Sequence, residues 1–125
     1  MVGAQIPVCD VVKRNATAID VLCETQEGHY VVVEIKTRLI SLARHTEEYA
    51  RVNAFEPVVK SYKVPNSLYY RHQVQLAQTT AMFRKSKLAK KKGTPVHALI
   101  LVLIENQAVP YFLRPELGGL KVSRK

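Results

Sequence analysis

An apolar stretch in the first third of the chain carries one carboxylate and one ammonium group. It reads Val-Val-Val-Glu-Ile-Lys and contains Glu34 and Lys36. Because side chains alternate across a β-strand, a strand here directs Glu34 and Lys36 to the same face. A strand with Asp20 precedes it, and pairing of the two strands through a turn near Gly28 brings Asp20 beside Glu34. Two carboxylates near one lysine can hold Mg²⁺ with a bound water. An ordinary solvent-exposed strand face is the alternative interpretation.

A second polar motif, Tyr-Arg-His-Gln-Val-Gln-Leu, occupies residues 70–76 at the start of a predicted helix. Together, Ile19-Asp20 and the segment from Val32 to Lys36 resemble the PD-(D/E)XK nuclease superfamily, with Ile19 where the family name has proline. The helical motif is similar to the glutamine motif of the lambda-exonuclease and RecB-like branch. Gln75 fits that motif best, Gln73 is the alternative, and Thr79 stands where the motif has a tyrosine. A solvated polar helix face is the other interpretation of these glutamines.

The resemblance implies a role for each matched residue. Asp20, Glu34 and the backbone carbonyl of Ile35 would bind Mg²⁺ or Mn²⁺. Lys36 would orient or activate the attacking water and offset charge on the scissile phosphate. Gln75 would hold that water or Lys36 in place. The implied reaction is metal-assisted hydrolysis of a phosphodiester bond.

The charge balance agrees with a polyanionic partner. The chain has 19 Lys and Arg against 10 Asp and Glu, a formal net charge of +9. Such an excess favours nucleic acid, here DNA with RNA not excluded. The residues expected to contact it fall in two groups: Arg38, Arg71, His72 and Gln73 near the motifs, and Arg84, Lys85, Lys87, Lys90, Lys91 and Lys92 at the helix end. A solvated helix end or a nuclear-localisation-like run is the alternative for the second group.

The elements that must position these residues follow from periodicity and turn signals. Strands are predicted at 6–12, 18–23 and 30–37, joined by short polar turns as an antiparallel meander. A mixed segment with helical character at 41–53 follows, then a helix from Ser67 to about residue 89, closed by three lysines and Gly93. Residues 96–104 are nearly all apolar, the pattern of a strand covered on both faces. A turn at 106–107 and a short strand at 109–113 precede a loosely held tail, 114–125.

This order predicts an α/β fold with a restriction-endonuclease-like core: a three-strand meander, then helix and strand. The chain is expected to form one PD-(D/E)XK nuclease-like domain, 1–125, without the leading helix of the family, either as a whole domain or as a truncated core. One sheet face would then be uncovered, carrying either Val31, Val33 and Ile35 or Ile19, Val21 and Cys23. Large exposed apolar patches mark interfaces. We therefore expect a homo-oligomer, or a partner protein on that face.

Composition excludes several classes of protein. With 125 residues and 47% hydrophobic residues, the chain is one domain long and too apolar for a disordered tail. It contains no apolar run near the ~20 residues of a membrane span. Its two cysteines, Cys9 and Cys23, are read as buried thiols of an intracellular protein; nuclear, mitochondrial, viral and cytoplasmic locations stay open.

Three functions remain. The first is a Mg²⁺-dependent deoxyribonuclease, exonuclease-like, acting in recombination, repair or replication. The second is a catalytically inactive nucleic-acid-binding relative within a larger assembly. The third is a small basic protein that uses its lysine cluster for scaffolding alone. An intact set of Asp20, Glu34 and Lys36 favours the enzyme, and the missing leading helix favours the inactive relative.

Overall fold

The computed structural model describes residues 3–10, 15–60 and 62–117, and shows a mixed α/β fold. Its strands and helices are, in chain order, β1 (Gly3–Asp10), β2 (Asn15–Glu24), β3 (Tyr30–Arg38), α1 (Leu42–Glu48), β4 (Val58–Val59), β5 (Val64–Pro65), α2 (Leu68–Arg84), α3 (Lys87–Lys92), β6 (Val96–Ile104) and β7 (Gln107–Phe112). A 3₁₀ turn, Pro115–Leu117, follows β7. Residues 11 and 12 of the first predicted strand and 118–125 of the predicted tail lie outside the described residues, as does the side chain of Cys9.

The larger sheet has the strand order β1-β2-β3-β6-β7. The predicted antiparallel meander is confirmed, since β1 pairs with β2 and β2 pairs with β3 in antiparallel register. The turn between β2 and β3 places Gly28 at a φ of 86°, which glycine adopts without steric cost. β6 then pairs parallel with β3 along its whole length, and β7 returns antiparallel to β6. β4 and β5 form a separate small hairpin that the sequence did not indicate.

Helix α2 covers one face of this sheet. Ser67 caps it, because its side chain accepts a hydrogen bond from the Tyr70 backbone N–H at 3.1 Å. Apolar side chains of the helix pack on those of the strands. The core they form includes Leu22, Val32, Leu76, Phe83, Ile100 and Val102.

The predicted continuous helix to residue 89 is wrong. α2 ends at Arg84 and a separate short helix begins at Lys87. The side chain of Ser86 accepts from the Ala89 backbone N–H at 3.2 Å, so it caps the second helix and competes with continuation of the first. The predicted closure at Gly93 is confirmed, with a left-handed φ of 67°. The first helix begins after Ser41, whose side chain accepts a hydrogen bond from the Arg44 backbone N–H, but it ends at Glu48 and not near residue 53.

The prediction that both faces of the 96–104 strand are covered is also wrong. In β6, Ala98, Ile100, Val102 and Ile104 are buried, whereas the alternate residues are partly or largely exposed. The reason is that α2 packs on one face only.

The residues named for the uncovered sheet face are at most partly exposed. Ile19 and Val33 are buried, and the other four, Val21, Cys23, Val31 and Ile35, are partly buried. The expected homo-oligomer or partner protein on that face stays a prediction. Cys23 carries a free thiol.

Candidate active site between β3 and α2

Asp20 is held against the backbone of β3. β2 and β3 pair from Glu24 opposite Tyr30 to Val21 opposite Val33. Next along β2, the Oδ2 atom of Asp20 accepts a hydrogen bond from the backbone N–H of Ile35 at 2.9 Å. The Asp20 side chain thus bonds the backbone of β3 just past the point where the β2–β3 pairing ends. This contact holds the Asp20 carboxylate beside Ile35, the residue between Glu34 and Lys36.

Glu34 is buried on the helix-covered face, with 5% of its surface exposed. Its pKa is raised from 4.5 to about 7, first by burial and then by the negative charge of Asp20. The positive charge of Lys36 and a hydrogen bond from the Thr79 hydroxyl act in the opposite direction. A buried carboxylate and a partly buried one therefore lie close enough to interact, and adding a cation beside them is electrostatically favourable.

Lys36 lies on the same face and contacts the helix. Its Nζ donates to the Oε1 atom of Gln75 at 2.7 Å. Asp20, Glu34, Lys36 and Gln75 are thus brought together, by one strand pair and one helix. Of the two glutamines considered from the sequence, Gln75 is the one that reaches Lys36.

Gln73 has a different position. Its side chain is fully buried, with Nε2 donating to the Phe112 carbonyl at 3.0 Å. Its Oε1 accepts from the Arg114 backbone N–H, also at 3.0 Å. Gln73 therefore ties α2 to the end of β7, and its amide is not available to nucleic acid in this arrangement.

Thr79 was not expected at the site. It is buried, and its hydroxyl hydrogen-bonds the Glu34 carboxylate from the position where the glutamine motif has a tyrosine. The available signal was its spacing, because residues four apart on a helix lie on the same face and Gln75 was already placed there.

His72 borders the site as a neutral ring. Its Nδ1 is hydrogen-bonded to the Tyr49 hydroxyl at 2.7 Å. Burial, followed by the charges of Lys36, Arg38 and His45, lowers its pKa to about 4. A neutral imidazole is a poor electrostatic partner for phosphate, so the expected phosphate contact of His72 would depend on a hydrogen bond alone.

A buried aromatic group supports this end of β3. Arg38 Nη1 donates to His45 Nδ1 at 3.0 Å, and His45 Nε2 lies 2.9 Å from the Tyr111 hydroxyl. Since a guanidinium only donates, the His45 proton is on Nε2 and is donated to Tyr111. Burial and then the Arg38 charge lower the His45 pKa. The rings of Tyr49, Tyr69 and Tyr111 pack around this chain of contacts.

The basic residues lie in two places. Arg38 and Arg71 line a cavity of about 550 Å³ beside the site, together with Arg51. The second group, Arg84, Lys85, Lys87, Lys90, Lys91 and Lys92, lies at the far end of α2 and on α3. Arg84 is nine residues from Gln75, about 13 Å along the helix axis.

Lys92, in the far group, is engaged within the fold. Lys92 pairs with Glu24, and its Nζ lies 4.7 Å from the centre of the Tyr30 ring. Arg84 donates to the Val96 carbonyl at 3.3 Å. Lys87, Lys90 and Lys91 are exposed.

Comparison with protein-family models and with curated proteins gives no match for this chain. Within the described ranges, no group of three or more His, Cys, Asp or Glu side chains could hold a metal ion. A cation at the site would thus have Asp20, Glu34 and backbone oxygen as its protein ligands. None of the helices in these ranges is long and apolar enough to cross a membrane.

Proposed function

We propose that this chain is a metal-dependent nuclease that hydrolyses DNA phosphodiester bonds. The observation that carries the proposal is the convergence of Asp20, Glu34, Lys36 and Gln75 through the Asp20–Ile35 and Lys36–Gln75 hydrogen bonds. The antiparallel meander, the covering helix α2 and the parallel pairing of β3 with β6 support a restriction-endonuclease-like core of the PD-(D/E)XK type. An exonuclease of this kind would act in recombination, repair or replication.

The donor atoms fit a hard divalent cation. Asp20 and Glu34 offer carboxylate oxygens and Ile35 a backbone carbonyl, the ligand types that Mg²⁺ and Mn²⁺ accept. The pKa of Glu34 is raised first by burial and then by the charge of Asp20, so a bound cation would stabilise the ionised carboxylate there. When bound, such a cation supplies a more acidic water and neutralises charge on the phosphate.

Lys36 and Gln75 are proposed to act on the substrate and not on the cation. The Lys36 ammonium can donate to the attacking water or to a non-bridging phosphate oxygen. The bond from Nζ to the Gln75 oxygen restricts the Lys36 side chain to one direction. Because a flexible lysine must otherwise lose rotamer freedom in the transition state, this restraint favours catalysis.

The experiment is cleavage of linear and covalently closed circular DNA by the purified protein with Mg²⁺ or Mn²⁺. We expect loss of linear DNA and, for an exonuclease, survival of the closed circle. Lys36→Ala should lower the rate by about a thousandfold or more while DNA binding is nearly unchanged. Thr37→Ala, an exposed neighbour on β3, is the matched control and should cleave like the unmodified protein.

Two results would count against the enzyme. Cleavage that survives in Lys36→Ala would indicate a contaminating nuclease. DNA binding by the unmodified protein without cleavage in either metal would favour the nucleic-acid-binding relative.

A further inference from the structure

The cavity of about 550 Å³ beside the candidate site is lined by three arginines. Arg38 follows Lys36 by two residues on β3, so both side chains leave the same face about 7 Å apart. Arg71 precedes Gln75 by four residues on α2, about 6 Å along the axis. Two lining residues of the cavity thus lie next to the Lys36–Gln75 contact along β3 and α2.

Two of these arginines keep their positive charge uncompensated by their hydrogen-bond partners. Arg71 Nε donates to the amide oxygen of Asn66 at 2.8 Å, and Arg38 bonds the neutral ring of His45. A guanidinium has five N–H donors, so one such bond fixes its direction and leaves others for an incoming acceptor. Arg51 pairs with Glu47 at 3.0 Å.

Glu48 also lines the cavity, and its carboxylate is paired with Arg44 at 3.0 Å. The wall is therefore positively charged overall. Pre-oriented guanidinium groups of this kind bind phosphate oxygens well.

An exposed aromatic ring lies at the rim. Phe55 is 96% exposed and lines both this cavity and a neighbouring one of about 820 Å³. Its loop is ordered by Asn53, whose Oδ1 accepts from the backbone N–H groups of Phe55 and Glu56 at 2.8 and 2.9 Å. Asn66 Nδ2 also donates to the Glu56 carbonyl at 2.7 Å. The ordered loop backbone thus places the exposed ring at the rim of the cavity.

We infer that the cavity and Phe55 bind unpaired nucleotides of a single-stranded nucleic acid, the strand whose phosphate enters the Lys36–Gln75 site. The inference rests on the proposed function and adds the substrate class. Arg38, Arg51 and Arg71 hold successive phosphates, and a base stacks on the Phe55 ring. Duplex bases have both faces covered by their neighbours, so only an unpaired base can meet the ring.

The test is fluorescence anisotropy of a labelled oligothymidylate and of a labelled blunt-ended duplex of two complementary strands, with the whole protein in EDTA so that no metal-dependent cleavage occurs. We expect at least tenfold tighter binding of the single strand. Phe55→Ala should weaken single-strand binding by about fivefold to a hundredfold, the usual range for a lost base–aromatic stack, and Phe55→Trp should preserve it. Phe112→Ala is the matched control, a 66% exposed ring outside this cavity, and should change nothing.

The arginine contacts need a control variant that leaves the cavity wall unchanged. Arg51 and Arg114 are 58% and 40% exposed, and each pairs with a glutamate nearby in the sequence. Arg51 lines the cavity and Arg114 does not. Arg51→Ala should therefore weaken single-strand binding by about threefold to tenfold and lower its salt dependence, with Arg114→Ala close to the unmodified protein.

Equal or tighter binding of the duplex, or unchanged binding in Phe55→Ala, would overturn the inference. Circular dichroism of Phe55→Ala checks the fold, which loss of an exposed ring should not alter. Phe55-dependent single-strand binding without cleavage in Mg²⁺ or Mn²⁺ would reject the nuclease and keep the inference. DNA cleavage together with single-strand binding that is unchanged in Phe55→Ala would keep the proposed nuclease and reject the inference.

Discussion

Helix α2 carries two adjacent polar stripes whose side chains are similar and whose partners differ. The site stripe consists of His72, Gln75 and Thr79, and the core stripe of Gln73, Ala77 and Thr80. Each has the 3- and 4-residue spacing of one helix face. Each includes a glutamine and a threonine, so residue type alone does not separate them.

The partners separate them clearly. In the site stripe, Gln75 bonds Lys36, Thr79 bonds Glu34 and His72 bonds Tyr49, all through side chains that can ionise. In the core stripe, the polar groups bond backbone.

Gln73 spans Phe112 and Arg114, and Thr80 donates to the Leu76 carbonyl at 2.7 Å. The Gln73 bonds hold α2 to the end of β7 and the Thr80 bond lies within α2, whereas the ionisable partners of the site stripe affect charge. The first stripe should therefore govern chemistry and the second stability.

The largest expected effect is on stability. Gln73→Ala should lower the free energy of unfolding by about 3 to 5 kcal/mol, because it leaves the Phe112 carbonyl and the Arg114 N–H without their partner and opens a cavity. Urea denaturation measures this. Gln75→Ala, two residues away and exposed, should stay within about 0.5 kcal/mol. Equal losses in the two variants would remove the distinction between the stripes.

Burial of Glu34 should make stability depend on pH in an unusual direction. Its pKa is raised from 4.5 to about 7, so the folded chain holds a proton that the unfolded chain releases. Stability contributed by this proton is present at low pH and is lost as the pH rises from about 4.5 to 7. Glu34→Gln should therefore gain up to about 3 kcal/mol over the unmodified protein across this window. Urea denaturation in EDTA at several pH values measures the difference, and a difference that is flat with pH would contradict the buried, protonated carboxyl.

Gln75 should matter for rate and not for folding. Gln75→Ala frees the Lys36 side chain, and loss of this positioning should lower DNA cleavage about tenfold to a hundredfold. Gln75→Glu keeps an acceptor for Lys36 and should recover part of the loss. Single-turnover cleavage rates measure both variants, and a normal rate for Gln75→Ala would exclude the positioning role.

Local patterns in the sequence were enough to place much of this site. Alternation in β3 put Glu34 and Lys36 on one face, and the turn at Gly28 brought the Asp20 strand alongside. The motif favoured Gln75 over Gln73, but the burial of Gln73 against the end of β7 depends on contacts far along the chain. Thr79 was missed although its four-residue spacing from Gln75 was a local signal. The loop with Phe55 was missed because its position beside Arg38 and Arg71 depends on the fold.

Two predicted elements were wrong: the single helix to residue 89 and the strand 96–104 covered on both faces. The run after Ser86 favours helix, and a single serine cap was enough to split it. The apolar run in β6 indicated burial on both faces, yet the described helices cover one. The apolar composition of a strand favours its burial. Whether one face or both faces are buried depends on which other elements pack against it.

The smallest expected effect concerns Thr79. Its hydroxyl lowers the Glu34 pKa, so Thr79→Val should raise that pKa further above 7, by about one unit or less. Carbon-13 NMR of the Glu34 carboxyl in EDTA, titrated from acid to alkali, measures the midpoint directly. Thr80→Val is the matched control on the core stripe, because its buried hydroxyl bonds the Leu76 carbonyl and should leave the Glu34 midpoint in place. If both valines moved the midpoint equally, helix distortion would be the cause, and the site stripe would have no electrostatic role distinct from that of the core stripe.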